Sequence, residues 1–189
     1  MNTPDFLIQN VKKYPNEPAL SSKDKSGNWE TDSWNDVYTN VMDVAKSLLH
    51  HNIGQNDKIS IYSYNRKEWN YIYLATQFIN SAAVGIYHTS SSNEVEWVAG
   101  NSESKIIFVG NNPDDNQEND KMPINRLLEA LPKLNNVELV VTLPEVTSSG
   151  NSKIISWDKF IENGKSIESS KILDLPNKIK DEHTSSCLL

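Results

Sequence analysis

Four short apolar runs, "DKISIYS" (57–63), "AAVGIY" (82–87), "KIIFVG" (105–110) and "VELVVTL" (137–143), recur along the chain, with helical patterns or polar loops between them. A helix between two strands carries the chain back to the starting edge of a sheet. Strands joined this way pair in parallel, so the alternation implies an α/β fold, a mostly parallel sheet flanked by helices. "KIIFVG" shows little alternation of polar and apolar residues, as a strand covered on both faces requires.

The helical segments carry their own signals. Phe6, Leu7, Val11 and Tyr14 have helical spacing, and Pro4 suits a first turn. The strongest helix runs from Trp34 to about His50, with an apolar stripe of Val37, Val41, Ala45 and Leu48. Ser33 is its expected cap, Asp36 the shorter counterpart of the capping-box acid, and Gly54 its expected stop. Before it, "EPALSS" and "NWETDSW" flank "KDKSGN", which predicts a hairpin with Gly27 in the turn. A third helix carries Trp69, Ile72, Tyr73, Gln77 and Phe78, with Asn65 as cap and Glu68 answering the Asn65 N–H. "SSNEVEWVAGN" predicts a short capped helix, and "INRLLEALPKL" and "SWDKFIEN" two more. Residues 111–123 read as an acidic surface loop, and Ser185 to Leu189 as the start of a last strand. Trp34, Trp69 and Trp97 fall in or near first turns and are expected to pack helix on sheet.

A chain of 189 residues is enough for one domain with a real core. A net charge of −7, with no cluster of Lys and Arg, argues against a nucleic-acid partner. The single cysteine, Cys187, rules out an internal disulfide framework and reads as a small core residue, not a nucleophile. The N-terminus lacks the sustained apolar core of a signal peptide. The longest apolar-leaning stretch, "YIYLATQFINSAAVGIY", is broken by Gln77, Asn80 and Ser81 and reads as helix then strand, not as a transmembrane segment. A cytoplasmic protein is the expectation.

Candidate chemical motifs mostly dissolve on inspection. No GxGxxG is present. "NGKS" at 163–166 resembles the end of a phosphate-binding loop, but the first glycine of that pattern would fall on Lys159, and a helix precedes Gly164; the glycine reads as a helix end. Asp114, Asn116 and Glu118 have calcium-loop spacing, but Asn119 and Asn125 stand where Gly and a bidentate Glu are needed. His50 and His51 are adjacent, so on a helix they point about 100° apart and cannot chelate one metal together. His183 sits in a polar segment and reads as solvated. His88 follows "AAVGIY", where ligands sit beyond the carboxyl ends of strands in open α/β sheets, although solvent or loop packing is its favoured role. No catalytic, metal or cofactor-binding residue is assigned from these patterns.

From "YSYNRKEWNYIYLATQFINSAAVGIYHTSSSNEVEWVAGNSESKIIFVG" onward the sequence resembles the N-terminal part of the adenylate-forming (AMP-binding) enzymes, close to long-chain fatty acyl-CoA synthetases. Asn65, Glu68 and Trp69 match an Asn-x-x-Glu-Trp helix start, and Val84 to Tyr87 a Val-Gly-Ile-Tyr-like strand. "NSESKIIFV" is similar to Asn-Ser-x-Ala-Lys-x-x-x-Val. "SWNDVYTNVMDVAKSLLHHNIGQNDKISIYS" and "ISWDKFIENGK" resemble further segments in the same order. The sequence departs from the family at His88, where many relatives carry Pro or Thr, so no role is carried over to that loop.

The resemblance implies that residues 1–189 form a partial N-terminal subdomain of the acyl-adenylate-forming fold, truncated before the phosphate loop. In the family, a segment similar to "DEHTSSCLL" runs directly into a glycine- and hydroxyl-rich loop ending in Lys-Gly. A complete relative would use ATP, Mg2+ and CoA to convert a fatty acid through an acyl-adenylate to its thioester. The chain alone would bind none of these and be inactive, its partner being the remainder of the enzyme beyond Leu189, with the complete enzyme cytoplasmic or peripheral to a membrane. Two alternatives stand beside this: a non-catalytic flavodoxin-like α/β binding module, and a ligase for another carboxylic acid.

Overall fold

The computed structural model describes residues 2–23, 26–111, 122–147, 150–176 and the backbone of 187–188. Asp114, Asn116, Glu118, Asn119, His183, Ser185 and Leu189, and with them most of the acidic loop, lie outside the described residues.

Helix α1 (Thr3–Lys13) leads into the antiparallel hairpin β1 (Pro18–Lys23) and β2 (Trp29–Ser33), with Gly27 in the turn at φ +81°. Then come α2 (Trp34–His50), β3 (Lys58–Tyr62), α3 (Lys67–Phe78), β4 (Ala82–Ile86), α4 (Ser92–Asn101) and β5 (Ile106–Val109). The chain continues through α5 (Pro123–Ala130), β6 (Leu139–Thr142), β7 (Ile154–Ser156), α6 (Trp157–Gly164), α7 (Ser170–Leu173) and β8 (Cys187–Leu188). Strands β3 to β8 form one parallel sheet in the order β7-β6-β5-β3-β4-β8. The α/β class expected from the alternation is therefore the observed one.

The sheet is apolar on both faces, and each face has its own core. Ile59, Ile61 and Phe108 meet Leu7 of α1, the stripe of α2, Ile72 and Phe78 of α3, and Phe160 of α6. Their strand neighbours Tyr62, Ile107 and Val109 point the other way, against Val95 and Ala99 of α4 and Ile124 and Leu127 of α5. This two-residue alternation lets one short strand feed both cores. The buried Ser60 on the second face is satisfied by Ser104, Oγ to Oγ at 2.7 Å.

Several local expectations hold and others do not. Ser33 and Asp36 form the full capping box of α2. The stop of α2 is Asn52, not Gly54. Asn52 takes the left-handed conformation at φ +58°, Ile53 N–H donates to the Leu48 carbonyl and Asn52 N–H to that of Leu49. That is the reciprocal C-terminal bonding for which Asn substitutes for Gly. Asn65 does not cap α3. Its N-cap is Arg66, with no side-chain cap bond, because Glu68 is drawn instead into a two-pronged pairing with the Arg66 guanidinium at 2.6 and 3.1 Å. Trp34 packs edge-on against Phe6, and Trp69 stacks on Tyr73. Trp97 is 68% exposed and packs against no sheet. Two short elements in polar surroundings, β7 and α7, escape the sequence pattern.

Gly164 is the last residue of α6, as its reading as a helix end expected, and it is also the contact point of α6 with α2. A Cβ there would lie 2.3 Å from Ser47 Oγ, 2.6 Å from Ser47 N and 2.9 Å from Ser47 Cα. Beside this contact the His51 ring stacks on Phe160 (centroids 5.7 Å apart, interplanar angle 10°), with Asn163 Nδ2 3.3 Å from its Nε2. Burial, and then the neighbouring His50, hold the His51 pKa below its ordinary 6.5.

Two variants at this interface and one in α4 test these contacts. Gly164→Ala is expected to lower stability by about 2–3 kcal/mol in urea unfolding, since backbone and not a flexible tip must move. Gly100→Ala, whose Cβ meets only Leu134 Cδ2 at 3.6 Å, is expected to gain about 0.5–1 kcal/mol from helix propensity. Equal effects at the two sites would contradict the close-packing argument. Because the folded state binds the His51 proton less readily than the unfolded chain, its contribution is complete above about pH 6.5 and lost as pH falls below. His51→Phe should flatten the decline in unfolding free energy between pH 7.5 and 5.5; an unchanged slope would remove His51 as its source.

Candidate ligand site at the carboxyl end of the sheet

The crossover leaving β3 runs over the first face through α3, whereas the one leaving β5 passes α5 on the second. These two strands are neighbours, so their outgoing connections diverge, which opens a crevice beyond their carboxyl ends. At that point Gly110 N–H donates to the Tyr62 carbonyl at 3.0 Å. The glycine is needed there: a Cβ would lie 2.5 Å from Ser63 Oγ and 3.0 Å from Leu143 Cδ1. Ser63 itself is buried, and its hydroxyl has no hydrogen-bond partner among the described residues.

Beside this crevice a cavity of about 400 Å³ lies beyond β3 and β4. Ser63, Asn65, Trp69, Ile86, Tyr87 and His88 line it. Tyr87 stands out into solvent at 83% exposure, and His88 is half-buried. His88, singled out in the sequence by its place after β4, is thus the one candidate histidine brought to this site among the described residues. His50 and His51 sit at the far end of α2, Gly164 lies in α6, and Asn125 is helical within α5. Cys187 belongs to β8, paired with Ala83 of β4. Among the described residues no group of three or more His, Cys, Asp or Glu could hold a metal ion.

The loop bearing His88 is held from below. Tyr62 Oη donates to the Ser90 carbonyl at 2.7 Å, and Arg126 Nη1 donates to the carbonyls of Thr89 at 2.8 Å and Ser90 at 3.1 Å. Burial raises the Tyr62 pKa above its ordinary value, so the phenol stays a neutral donor. Ser63 and Tyr62 were findable by the same strand-end rule that pointed to His88. Nothing in the sequence around Arg126 connects it to a loop 36 residues earlier.

A larger groove of about 730 Å³ separates the hairpin from residues 64–70. Two of its cations are engaged with carboxylates, Arg66 with Glu68, and Lys67 with Asp32 at 2.9 Å and Glu30 at 3.7 Å, while Lys23 lies over the Trp29 ring. Tyr71 Oη also donates to Asp32, and burial together with that bond pushes the phenol pKa up. These contacts dock the hairpin onto α3; charges spent on one another do not attract a polyanion.

Tyr62→Phe is expected to cost about 1 kcal/mol of stability and to raise amide exchange in residues 88–91 specifically. Exchange rising uniformly over the chain would mean that the hydroxyl does not anchor this loop.

No helix among the described residues is long and apolar enough to cross a membrane. Residues 7–183 match the AMP-binding enzyme family. The chain is 25% identical over 187 residues to the Homo sapiens long-chain-fatty-acid–CoA ligase ACSBG2, covering 99% of this chain and 26% of that protein. It is 27% identical over 194 residues to long chain acyl-CoA synthetase 4 of Arabidopsis thaliana, covering 94% and 26%. The chain thus spans about a quarter of the length of these curated relatives. Among solved structures it is similar to coronafacic acid ligase from Pectobacterium brasiliense (TM-score 0.71, 18% identity, 86% of this chain and 29% of that one). It is also similar to the anthranilate CoA ligase AuaEII in complex with anthranoyl-AMP (TM-score 0.70, 16% identity, 86% and 28%). With the family matched through most of its length, the chain belongs to the AMP-binding enzymes.

Proposed function

We propose that this chain supplies the N-terminal subdomain of an ATP-dependent long-chain fatty acid–CoA ligase. One observation carries the reading: the human and Arabidopsis relatives aligned along nearly the whole chain are long-chain acyl-CoA ligases or synthetases. In the proposed reaction a carboxylate oxygen of the acid attacks the α-phosphorus of ATP, and the bond to pyrophosphate breaks, leaving an acyl-adenylate. The thiolate of CoA then attacks the acyl carbon, and AMP departs with the electron pair of the broken C–O bond.

The first of these steps needs concentrated positive charge around the phosphates. On this chain Arg66, Lys67, Lys105 and Lys133 each pair with a carboxylate, and Arg126 is spent on loop carbonyls. The groups that hold ATP and Mg2+ therefore belong, on this reading, to the remainder of the enzyme. The chain's own part is to build the sheet and its carboxyl-end rim. A cytoplasmic enzyme peripheral to a membrane goes with the reading, because a long-chain acid partitions into bilayers.

The test starts from the coding sequence past the Leu189 codon. The whole encoded protein is then assayed with Mg-ATP, CoA and palmitate, alongside the 189-residue chain. Palmitoyl-CoA, AMP and pyrophosphate are expected from the whole protein and none from the short chain. Thioester formed by the short chain would overturn the division of labour. A stop codon directly after Leu189 would reduce the ligase reading to ancestry. Turnover of short or aryl acids in preference to palmitate would replace the substrate class.

A further inference from the structure

We propose that Asn163 is a site of spontaneous deamidation, held closed in the folded chain by the packing of Gly164 against α2 and opened when α6 detaches. The site is independent of the ligase reading.

Asn163–Gly164 is the only Asn-Gly pair in the sequence. A glycine after asparagine leaves its amide nitrogen unshielded by a side chain and its backbone free to rotate. In the reaction that nitrogen attacks Asn163 Cγ. The new N–C bond closes a five-membered succinimide, the Cγ–Nδ2 bond breaks, and ammonia leaves. The proton lost by the glycine amide and the one gained by ammonia are exchanged with water. Water then opens the ring at one of its two carbonyls. Opening at Cγ leaves aspartate; opening at the main-chain carbonyl leaves isoaspartate, with an extra methylene in the backbone.

The folded chain opposes the first step. Both residues belong to the last turn of α6, where the Gly164 N–H is committed to the carbonyl four residues earlier. Gly164 is buried, and even a Cβ would lie 2.6 Å from Ser47 N and 2.9 Å from Ser47 Cα. The Asn163 amide is held as well, its Nδ2 3.3 Å from Nε2 of the stacked His51 ring. Swinging the glycine nitrogen onto Cγ therefore needs α6 to leave α2. That opening is local, because α6 follows β7, a three-residue strand at the edge of the sheet. The products do not fit back as the parent did. Isoaspartate lengthens the backbone at the point pressed on Ser47, and aspartate replaces the donor facing His51 by an acceptor. Isoaspartate formation thus turns a transient opening of α6 into a lasting one.

The full 189-residue chain is incubated in mildly alkaline buffer, folded or in concentrated urea, then digested, and residue 163 is followed by mass and by isoaspartate content. Asn163 is expected to convert about tenfold faster or more in urea. Asn163→Gln, whose ring closure is far slower, should show no conversion at this position. After removal of urea the isoaspartyl chain should unfold at lower denaturant than the parent, or fail to refold, whereas parent chain held only briefly in urea refolds. The proposal is overturned if Asn163 converts as fast in the folded chain as in urea. It is equally overturned if Asn163 survives urea while a short Asn-Gly peptide converts, or if the isoaspartyl chain regains the parent's stability.

Discussion

Strand β3 is hydrogen-bonded in parallel on both edges, to β4 and to β5, and the molecule is arranged around that fact. A parallel pair cannot be closed by a tight turn, so each neighbour of β3 is reached by a crossover that covers one face of the sheet. With β4 on one side and β5 on the other, crossovers are needed on both faces. Two separate apolar cores result, and β3 contributes to each through alternate residues. The crevice where the two crossovers part is a consequence of the same pairing. It is why Ser63 and Gly110 meet, and why the neighbouring loop of His88 has a cavity beside it.

The two cores differ in how they are closed. On the first face α2 and α6 approach closely enough that Gly164 lies against the backbone of Ser47, with His51 stacked on Phe160 at the rim. On the second face a polar contact does similar work at the rim of α4 and α5, with Arg126 of α5 reaching the loop that precedes α4. The same arginine that helps to close a core therefore also shapes the rim of the candidate site. A side chain with two such duties is not a free cation.

Nearly all of the fold was legible because it is written in local patterns. The capping box of Ser33 and Asp36, the stripe of α2, and the unalternating run of β5 each report on their own segment. The errors arose where a long-range or competing contact decided the outcome. Glu68 was expected to answer a cap and instead pairs with Arg66. Gly164 does end α6 as expected, but its close approach to Ser47 of α2 was not legible. Trp97 follows the helical pattern yet points into solvent, since a residue's place in a first turn does not say which face of the helix is buried.

By itself the sequence determined the α/β class, the order of its main elements and, through the order of its motifs, the resemblance to adenylate-forming enzymes. The class and element order depend on periodicity and capping within a dozen residues, and the resemblance on the order of short motifs; a one-dimensional string preserves both. Only the tertiary structure decided that Ser63 is buried against Gly110 with a hydroxyl unpaired among the described residues, that Arg126 and Tyr62 hold the loop after His88, and that Lys67 in the large groove is neutralised by Asp32 of the hairpin. Each of these joins residues far apart in the chain, and their meeting is set by which strands lie side by side around β3.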